Sequence, residues 1–218
     1  GEPTCPENMG EMMKIGRRGS MTAYFTVRGI QGHSAYPHRA KNPLPVMAEL
    51  ICDLTSFELD QGSEHFDPST LAVTTIDTGN LANNVIPAEC RATVNIRFND
   101  MHTSEELSVW LKEVTNKIAS KSDVEINMEI QVSGESFITA LGRFSDLVSN
   151  SVYSETGIYP QASTSGGTSD ARFVKDHCPV VEFGLVGKTM HQVDERVSVN
   201  HIHQLKAIYA NIIKNYFA

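Results

Sequence analysis

Apolar and polar positions along residues 20–132 predict four strands and two helices. Residues 20–29 alternate and are rich in β-branched and aromatic types, which indicates a strand that ends at Gly29. The other predicted strands are residues 71–76, 89–98 and 124–132. Apolar residues spaced three and four apart predict one helix after Asn42-Pro43 and another after Thr103, where Thr103 and Glu106 have the spacing of a capping box.

This order, β-α-β-β-α-β, is that of the split βαβ or ferredoxin-like unit, in which an antiparallel four-stranded sheet carries two helices on one face. An open sheet of this kind leaves an edge strand available for pairing with a second copy of the chain. We therefore predict a homodimer that forms through this unit.

Beyond Val132 the pattern changes to helices that alternate with short apolar runs. The predicted elements are a helix over 142–156, a short strand over 157–160, a buried strand over 179–183 and a helix over 205–217. Such alternation is typical of an α/β layer, but residues 133–218 are too few to complete its sheet. Because the chain also opens on Gly1 without an initiator methionine, we expect it to be part of a longer protein.

The composition is that of a globular protein with an acidic balance. Hydrophobic residues make up 40% of the 218 and charged residues 20%, which excludes disordered and collagen-like classes. The net charge of −8 argues against a nucleic-acid or membrane-surface partner, and no run of about 20 apolar residues or signal peptide is present. Four scattered cysteines without a C-x-x-C pair favour a reduced, cytoplasmic protein, with two disulfides as the alternative.

A few cations stand out in this acidic chain. Lys14, Arg17, Arg18 and Arg97 are of the types that bind carboxylate or phosphate groups, and Gly16–Ser20 places two of them directly before a strand. The alternative is a solvated strand end. Residues 165–170, Ser-Gly-Gly-Thr-Ser-Asp, precede a predicted helix and suggest backbone N–H groups that face an anion, although no Gly-Lys-Ser/Thr of a Walker loop follows.

Three histidines are candidates for chemistry. His33 and His38 flank Tyr36 in a loop between a strand and a helix, where an imidazole can stabilise an oxyanion, bind a metal or simply be solvated. His191 lies in a loop after the predicted buried strand and, like Glu2 and Glu182, is of a type that binds zinc, but no pair of residues has the spacing of a self-contained zinc site. Taken alone, Asn83-Asn84 favours a turn that enters a strand.

Together, six segments resemble the bacterial succinyl-diaminopimelate desuccinylase family, co-catalytic di-zinc amidases of the aminoacylase and glutamate carboxypeptidase group. In chain order they are residues 1–4, 16–20, 31–38, 83–87, 166–170 and 190–191. The resemblance runs over essentially all of the chain. One departure is Ser165, which stands where many relatives have a third glycine.

The resemblance implies a mixed architecture and a metal cofactor. Residues 1–18 would end a first catalytic segment, 19–132 would form the lid or dimerisation domain, and 133–218 would be the C-terminal part of an α/β catalytic domain. Glu2 and His191 match two zinc ligands, and the full-length parent would hold two Zn²⁺ ions, with Co²⁺ as an alternative. The family's other ligands and its general base lie upstream of the Gly-Glu-Pro segment and are not in this chain, so we expect the chain alone to be inactive.

The resemblance also implies roles for the lid and the substrate site. His33 would reach across a dimer and polarise the scissile carbonyl. Residues that match substrate-binding or site-lining positions are Lys14, Arg17, Ser20, Tyr36, Asn83, Asn84, Arg97, Ser133, Gly167 and Thr168. A succinylated diamino-diacid carries several carboxylates, which suits a local cationic patch. The alternatives are a deacylase for another N-acyl amino acid, such as acetylornithine, and a non-catalytic dimerisation or binding module.

Overall fold

Strands and helices alternate along residues 1–218, all of which the computed structural model describes. In chain order they are β1 (Met12–Lys14), β2 (Gly16–Arg17), β3 (Gly19–Arg28), β4 (Gly32–His33), α1 (Pro43–Ser56), β5 (Thr70–Asp77), β6 (Val85–Ile86), β7 (Glu89–Phe98), α2 (Ser104–Ala119), β8 (Glu125–Gly134), β9 (Phe137–Ile138), α3 (Arg143–Thr156), β10 (Gln161–Ser163), α4 (Ala171–Val174) and α5 (Val199–Tyr216). The chain divides into two units, one of residues 19–136 and the other of residues 1–18 with 137–218.

The unit of residues 19–136 is built on a four-stranded antiparallel sheet in the order β5-β7-β3-β8. Along β3, alternate side chains from Met21 to Val27 are buried, and they pack with apolar residues of α1 and α2 such as Leu50 and Leu111. The period of two puts every second side chain of a strand on the helix-covered face. The predicted order β-α-β-β-α-β is confirmed.

Both predicted helix starts in this unit are capped as the sequence indicates. The side chain of Asn42 accepts a hydrogen bond from the backbone N–H of Leu44 at 3.1 Å. Thr103 and Glu106 form the reciprocal capping box at the start of α2. Each cap satisfies backbone N–H groups that the first turn leaves without an intrahelical partner.

The other unit contains two short sheets and two long helices. Strands β1 and β10 pair in parallel, and β2 and β9 pair antiparallel. A second apolar core includes Met13, Ile15, Val148, Val152 and Ile208, which come from the N-terminal segment, α3 and α5.

Three local predictions for this unit are wrong. The short strand forms at Gln161–Ser163 rather than over 157–160, since only residues 161–163 pair with β1. Residues 179–183 are extended but make only an isolated bridge, between Lys14 and Glu182. The last helix begins at Val199, six residues earlier than predicted. The four cysteines are free, so the disulfide alternative is not supported.

Asp60 is a buried carboxylate that organises the loop after α1. It accepts hydrogen bonds from the backbone N–H groups of Gly62 and Ser69 and from the side chain of Asn99, and it lies 3.2 Å from Nε2 of His102. Burial alone raises the pKa of Asp60, but the combined hydrogen bonds from Ser69, Gly62 and Asn99 outweigh burial, and the net pKa lies below its usual value.

Replacing Asp60 by asparagine should therefore lower the free energy of unfolding at pH 7 by roughly 2 kcal/mol. The amide has only one oxygen, so it cannot accept all the hydrogen bonds that the two carboxylate oxygens accept. A lowered carboxyl pKa stabilises the fold above the unfolded-state pKa and loses that effect as the pH falls through the folded-state pKa. The difference between the two proteins in urea unfolding should thus shrink toward pH 3. Asp176→Asn, at an exposed carboxylate, is the control, and an equal loss in both variants would contradict the prediction.

Candidate functional site

A cluster of buried charges lies where β1, β2, β10 and the segment of Glu182 come together. The guanidinium of Arg17 donates from Nε and Nη2 to Oε2 of Glu182, both at 2.5 Å, and the two side chains are only 8% and 9% exposed. Nζ of Lys14 donates to the hydroxyls of Ser163 at 3.1 Å and Ser165 at 2.7 Å. Lys14 and Arg17, two of the predicted substrate-binding residues, therefore lie in one cluster. The cluster contains a single carboxylate, that of Glu182.

The environment of Lys14 lowers the pKa of its ammonium group. Burial, and next the positive charge of Arg17, lower the pKa of Lys14 from 10.5 to about 8, and the charges of Glu182 and Cys5 oppose this only in part. At neutral pH the ammonium is still the major form. The site is therefore a buried cationic cluster, called the pocket below, whose charge changes just above neutrality.

Gly166 gives this pocket its shape. Its φ of +102° is in the region that side chains rarely adopt, and a Cβ at this position would lie 2.6 Å from Nη1 of Arg17. Nη1 in turn donates to the backbone carbonyl of Ser165 at 3.3 Å. Only glycine allows the loop to approach the guanidinium this closely.

Replacing Gly166 by alanine should therefore cost more than a backbone penalty. Gly79→Ala controls for a positive φ without a steric contact, because Gly79 has a φ of +61° and no atom within 4 Å of its Cβ position, although the φ of +102° at Gly166 adds backbone strain of its own. We expect Gly79→Ala to lower the free energy of unfolding by about 1 kcal/mol and Gly166→Ala by about 2–3 kcal/mol, since the latter also displaces Arg17 from Glu182. Urea unfolding of the two variants measures the difference, and equal losses would show that Arg17 moves away without cost.

Gly167 and Thr168 directly follow Gly166 in the same loop. Gly167 is exposed and Thr168 is half-buried, and the loop leads into α4. That helix is a single turn of four residues, so it does not supply the helix dipole on which the predicted anion loop partly relied. Of the predicted anion site at residues 165–170, the structure retains the two neighbouring cations, Lys14 and Arg17, which contact Ser165.

His33 and the two asparagines meet on a ribbon that we call the arm, residues 29–41 with 78–88. Within it, β4 pairs with β6, so that His33 faces Val85, and the backbone N–H of Ser34 donates to the carbonyl of Asn84 at 2.9 Å. The arm continues the ladder of β3 and β7 past the paired residues Arg28 and Glu89. Two motifs that are far apart in the sequence are thereby brought side by side.

The tip of the arm presents His33 in a defined tautomer. The backbone N–H of Ala35 donates to Nδ1 of His33 at 3.0 Å, so a neutral imidazole carries its proton on Nε2. The ring of Tyr36 lies 6.0 Å from that of His33 and is 52% exposed, and the guanidinium of Arg39 lies over the Tyr36 ring at 5.1 Å. His33 is exposed and can donate from Nε2 to a ligand oxygen.

Three other predicted residues meet at the opposite end of the same sheet. Ser20 on β3 faces Arg97 on β7 and Gly134 on β8, and the register shifts between Ser20 and Met21 so that Ser133 is the bulged residue. Nε of Arg97 donates to the side-chain oxygen of Asn95 at 3.0 Å. Bulges of this kind redirect side chains at the end of a sheet.

These two groups are too far apart to share one small ligand within a single chain. Eight residues of β3 separate Ser20 from Arg28, which corresponds to roughly 27 Å, and the arm extends beyond Arg28. His33 and Arg97 of one chain therefore belong to different sites, unless a second chain supplies one of them.

The predicted zinc ligands do not by themselves make a metal site. No group of three or more His, Cys, Asp or Glu side chains that could hold a metal ion occurs in residues 1–218. Glu2 is half-exposed, and His191 is exposed with a φ of 62°, a left-handed conformation that is uncommon for a residue other than glycine. Glu2 and His191 stay predicted ligands.

The sequence marks Glu182 only as a residue of a zinc-binding type, whereas in the structure its carboxylate pairs with Arg17. The apolar run of residues 179–183 predicts a buried strand, and a buried carboxylate in such a run was the available signal that it pairs with a cation. Its partner, Arg17, lies 165 residues away in the sequence.

Comparison with protein-family models decides the family. Residues 15–123 match the model described as the M20 peptidase dimerisation domain. The chain belongs to this family. The matched residues include the whole of the arm and most of the four-stranded sheet of the M20 chain.

Curated relatives extend the similarity to both ends of the M20 chain. It is 66% identical over 218 residues to a succinyl-diaminopimelate desuccinylase of Ruegeria pomeroyi, with 100% of the chain and 57% of the relative covered. It is 68% identical over 217 residues to one of Cereibacter sphaeroides, again with 100% of the chain and 57% of the relative covered. The chain thus spans a little over half the length of the curated relatives it matches.

Solved structures share the fold at low sequence identity. A tripeptidase from Staphylococcus aureus superposes with a TM-score of 0.80 at 19% identity and covers 97% of this chain and 55% of its own. An M20 family metallo-carboxypeptidase from Sulfolobus solfataricus gives a TM-score of 0.78 at 14% identity, with 99% and 62% covered. None of the helices of the M20 chain has the length and hydropathy needed to cross a membrane.

Proposed function

We propose that this chain is part of a metal-dependent amide hydrolase that removes the succinyl group from N-succinyl-LL-2,6-diaminopimelate, a step in lysine and peptidoglycan precursor synthesis. The observation that carries the proposal is the 66–68% identity over the whole chain to desuccinylases. In this proposal the unit of residues 19–136 is the lid and dimerisation domain, and the other unit contributes to the catalytic domain.

The chemistry follows from the two sites that the chain contains. Lys14 and Arg17 bind a substrate carboxylate, since they form a buried pocket with more positive than negative charge. When water adds to the succinyl amide carbonyl, negative charge develops on its oxygen. Nε2–H of His33 donates a hydrogen bond to that oxygen, because Nδ1 is already occupied by the Ala35 N–H. Collapse of the tetrahedral intermediate breaks the C–N bond, and the leaving nitrogen takes up the proton that the attacking water gives up, so that succinate and the free amine are released.

The separation along β3 supports a homodimer in which His33 acts on the partner's substrate. With Arg97 and His33 at opposite ends of one sheet, a C2 dimer brings each arm to the far end of the other subunit. The match to a dimerisation domain agrees with this arrangement. We propose Asn83 and Asn84 as further residues that the arm contributes, and Ser20, Tyr36, Ser133, Gly167 and Thr168 as residues that line the site.

The metal is a proposal of its own. A glutamate and a histidine such as Glu2 and His191 are suitable donors for zinc, and two Zn²⁺ ions, or Co²⁺ in their place, would also need ligands that this chain does not contain. The proposed roles of Lys14 and Arg17 in binding a carboxylate, and of His33 in stabilising the oxyanion, are the same for either metal ion.

The test is an assay of the protein expressed from its complete reading frame and supplied with zinc. We expect succinate release from N-succinyl-LL-2,6-diaminopimelate with a kcat/KM at least 100-fold above that for N-acetylornithine. Comparable activity on both compounds, or activity on the acetyl compound alone, would overturn the substrate assignment. The 218-residue chain, assayed in parallel, should release no succinate.

A further inference from the structure

Glu182 controls which part of the Arg17 guanidinium faces a ligand. Its Oε2 accepts from both Nε and Nη2, which leaves Nη1 as the group directed at the loop of Ser165 and Gly166. That loop lies at the surface, since Gly166 and Gly167 are exposed, whereas Arg17 and Glu182 are buried.

The backbone holds Glu182 rigidly against the second cation. The N–H of Lys14 donates to the carbonyl of Glu182, and the N–H of Glu182 donates to the carbonyl of Lys14, both at 2.8 Å. These bonds fix the backbone of Glu182 beside that of Lys14, and the Glu182 carboxylate binds Arg17. The spacing of the two cations is therefore set through Glu182.

The charge balance of the cluster also depends on this residue. With Lys14 and Arg17 charged, Glu182 leaves a net charge of +1, which matches a single carboxylate group. The charged and titratable groups acting on Lys14 are Arg17, Glu182 and Cys5.

We propose that Glu182 is a positioning residue for carboxylate recognition: it fixes the guanidinium of Arg17 so that Nη1, together with Lys14, receives one carboxylate at the Ser165–Gly166 loop. This inference rests on the proposed function in taking Lys14 and Arg17 as substrate-binding residues. It adds Glu182, which does not touch the ligand.

Positioning and simple charge attraction make opposite predictions for Glu182→Gln. If Glu182 only neutralised a cation, its loss would raise the positive charge and tighten anion binding. If it positions Arg17, binding weakens although the pocket becomes more cationic. We expect succinate, used as the probe, to bind the 218-residue chain about 10-fold more weakly after Glu182→Gln.

The measurement is a titration with succinate at pH 6.5, followed by NMR of the Lys14 side chain and of the Arg17 Nε–H. At this pH, below its pKa of about 8, Lys14 is mainly protonated in the unaltered chain; because the charge of Glu182 raises that pKa, the Lys14 signal must show in each variant that the ammonium is retained. Glu7→Gln is the matched control, because it removes an equal charge from an exposed carboxylate of the same unit. Unchanged or tighter binding by Glu182→Gln would overturn the proposal.

Glu182→Asp covers the case in which the glutamine variant does not fold. It keeps the charge but is one methylene shorter, so we expect a shifted Arg17 Nε–H signal together with weaker succinate binding. A shifted signal with unchanged affinity would overturn the positioning role. If the unaltered chain binds no succinate, this inference is wrong, whereas the proposed function is judged separately by succinate release from the complete enzyme.

Discussion

If His33 has the proposed role, His33→Gln should lower the kcat of the complete enzyme by about 10²–10³-fold with little change in KM, because the imidazole would act on charge that develops only in the transition state. The hydrogen bond from Ala35 to Nδ1 leaves Nε2–H as the donor, and glutamine, which has an amide N–H but no ring nitrogen to accept from Ala35, is not held in this orientation. His38→Gln is the control, since His38 is exposed in the same loop. An equal loss in both variants would contradict a specific role for His33.

Mixed dimers test whether His33 acts on the partner subunit. His33→Gln and Arg97→Met alter opposite ends of the same sheet, so in a dimer with crossed arms a mixed pair contains one intact site and one doubly altered site. Equal mixing and random reassembly should then restore about a quarter of the activity of the unaltered enzyme. If each site were built from one chain, mixing would restore nothing.

The sheet unit could be predicted from the sequence because its signals are long and agree with one another. Ten-residue strands such as β3 and β7 alternate over their whole length, and both helices carry caps that the structure contains. The unit of residues 1–18 and 137–218 offered weaker signals. The apolar run of residues 179–183 has no period that separates a paired strand from a buried extended segment, and the first turn of α5 carries no side-chain cap.

For the candidate site, the sequence identified residue types but not their partners. Lys14 and Arg17 were predicted as anion ligands because cations are conspicuous in an acidic chain. That Arg17 is already paired with Glu182 depends on a contact between distant segments, which periodicity does not encode. The meeting of His33 with Asn84 likewise depends on the register of β4 against β6.

Lys14→Met should separate the stability of the fold from ligand binding. The lowered pKa of Lys14 means that its ammonium is less stable in the folded protein than in water. A change from 10.5 to about 8 corresponds to roughly 3 kcal/mol of destabilisation. Methionine has a similar volume and no charge, and the hydroxyls of Ser163 and Ser165 lie 3.0 Å apart and can bond to each other. After allowance for the lost hydrogen bonds, we expect a gain of about 2 kcal/mol at pH 7, together with loss of succinate binding.

The pH dependence distinguishes this cause from better packing. Since the folded-state pKa of Lys14 is about 8 and the unfolded-state value about 10.5, the unfolded chain binds more protons between these values, and the unaltered protein gains stability as the pH rises through this window. The advantage of Lys14→Met should be constant below pH 8, shrink by about 1.4 kcal/mol per pH unit above it, vanish at about pH 9.5 and be reversed by roughly 1 kcal/mol at pH 10.5. Lys188→Met, at an exposed lysine paired with Glu7, should show neither the gain nor the pH dependence. A gain that persists at pH 10.5 would mean that apolar packing, and not desolvation of the ammonium, limits stability at this site.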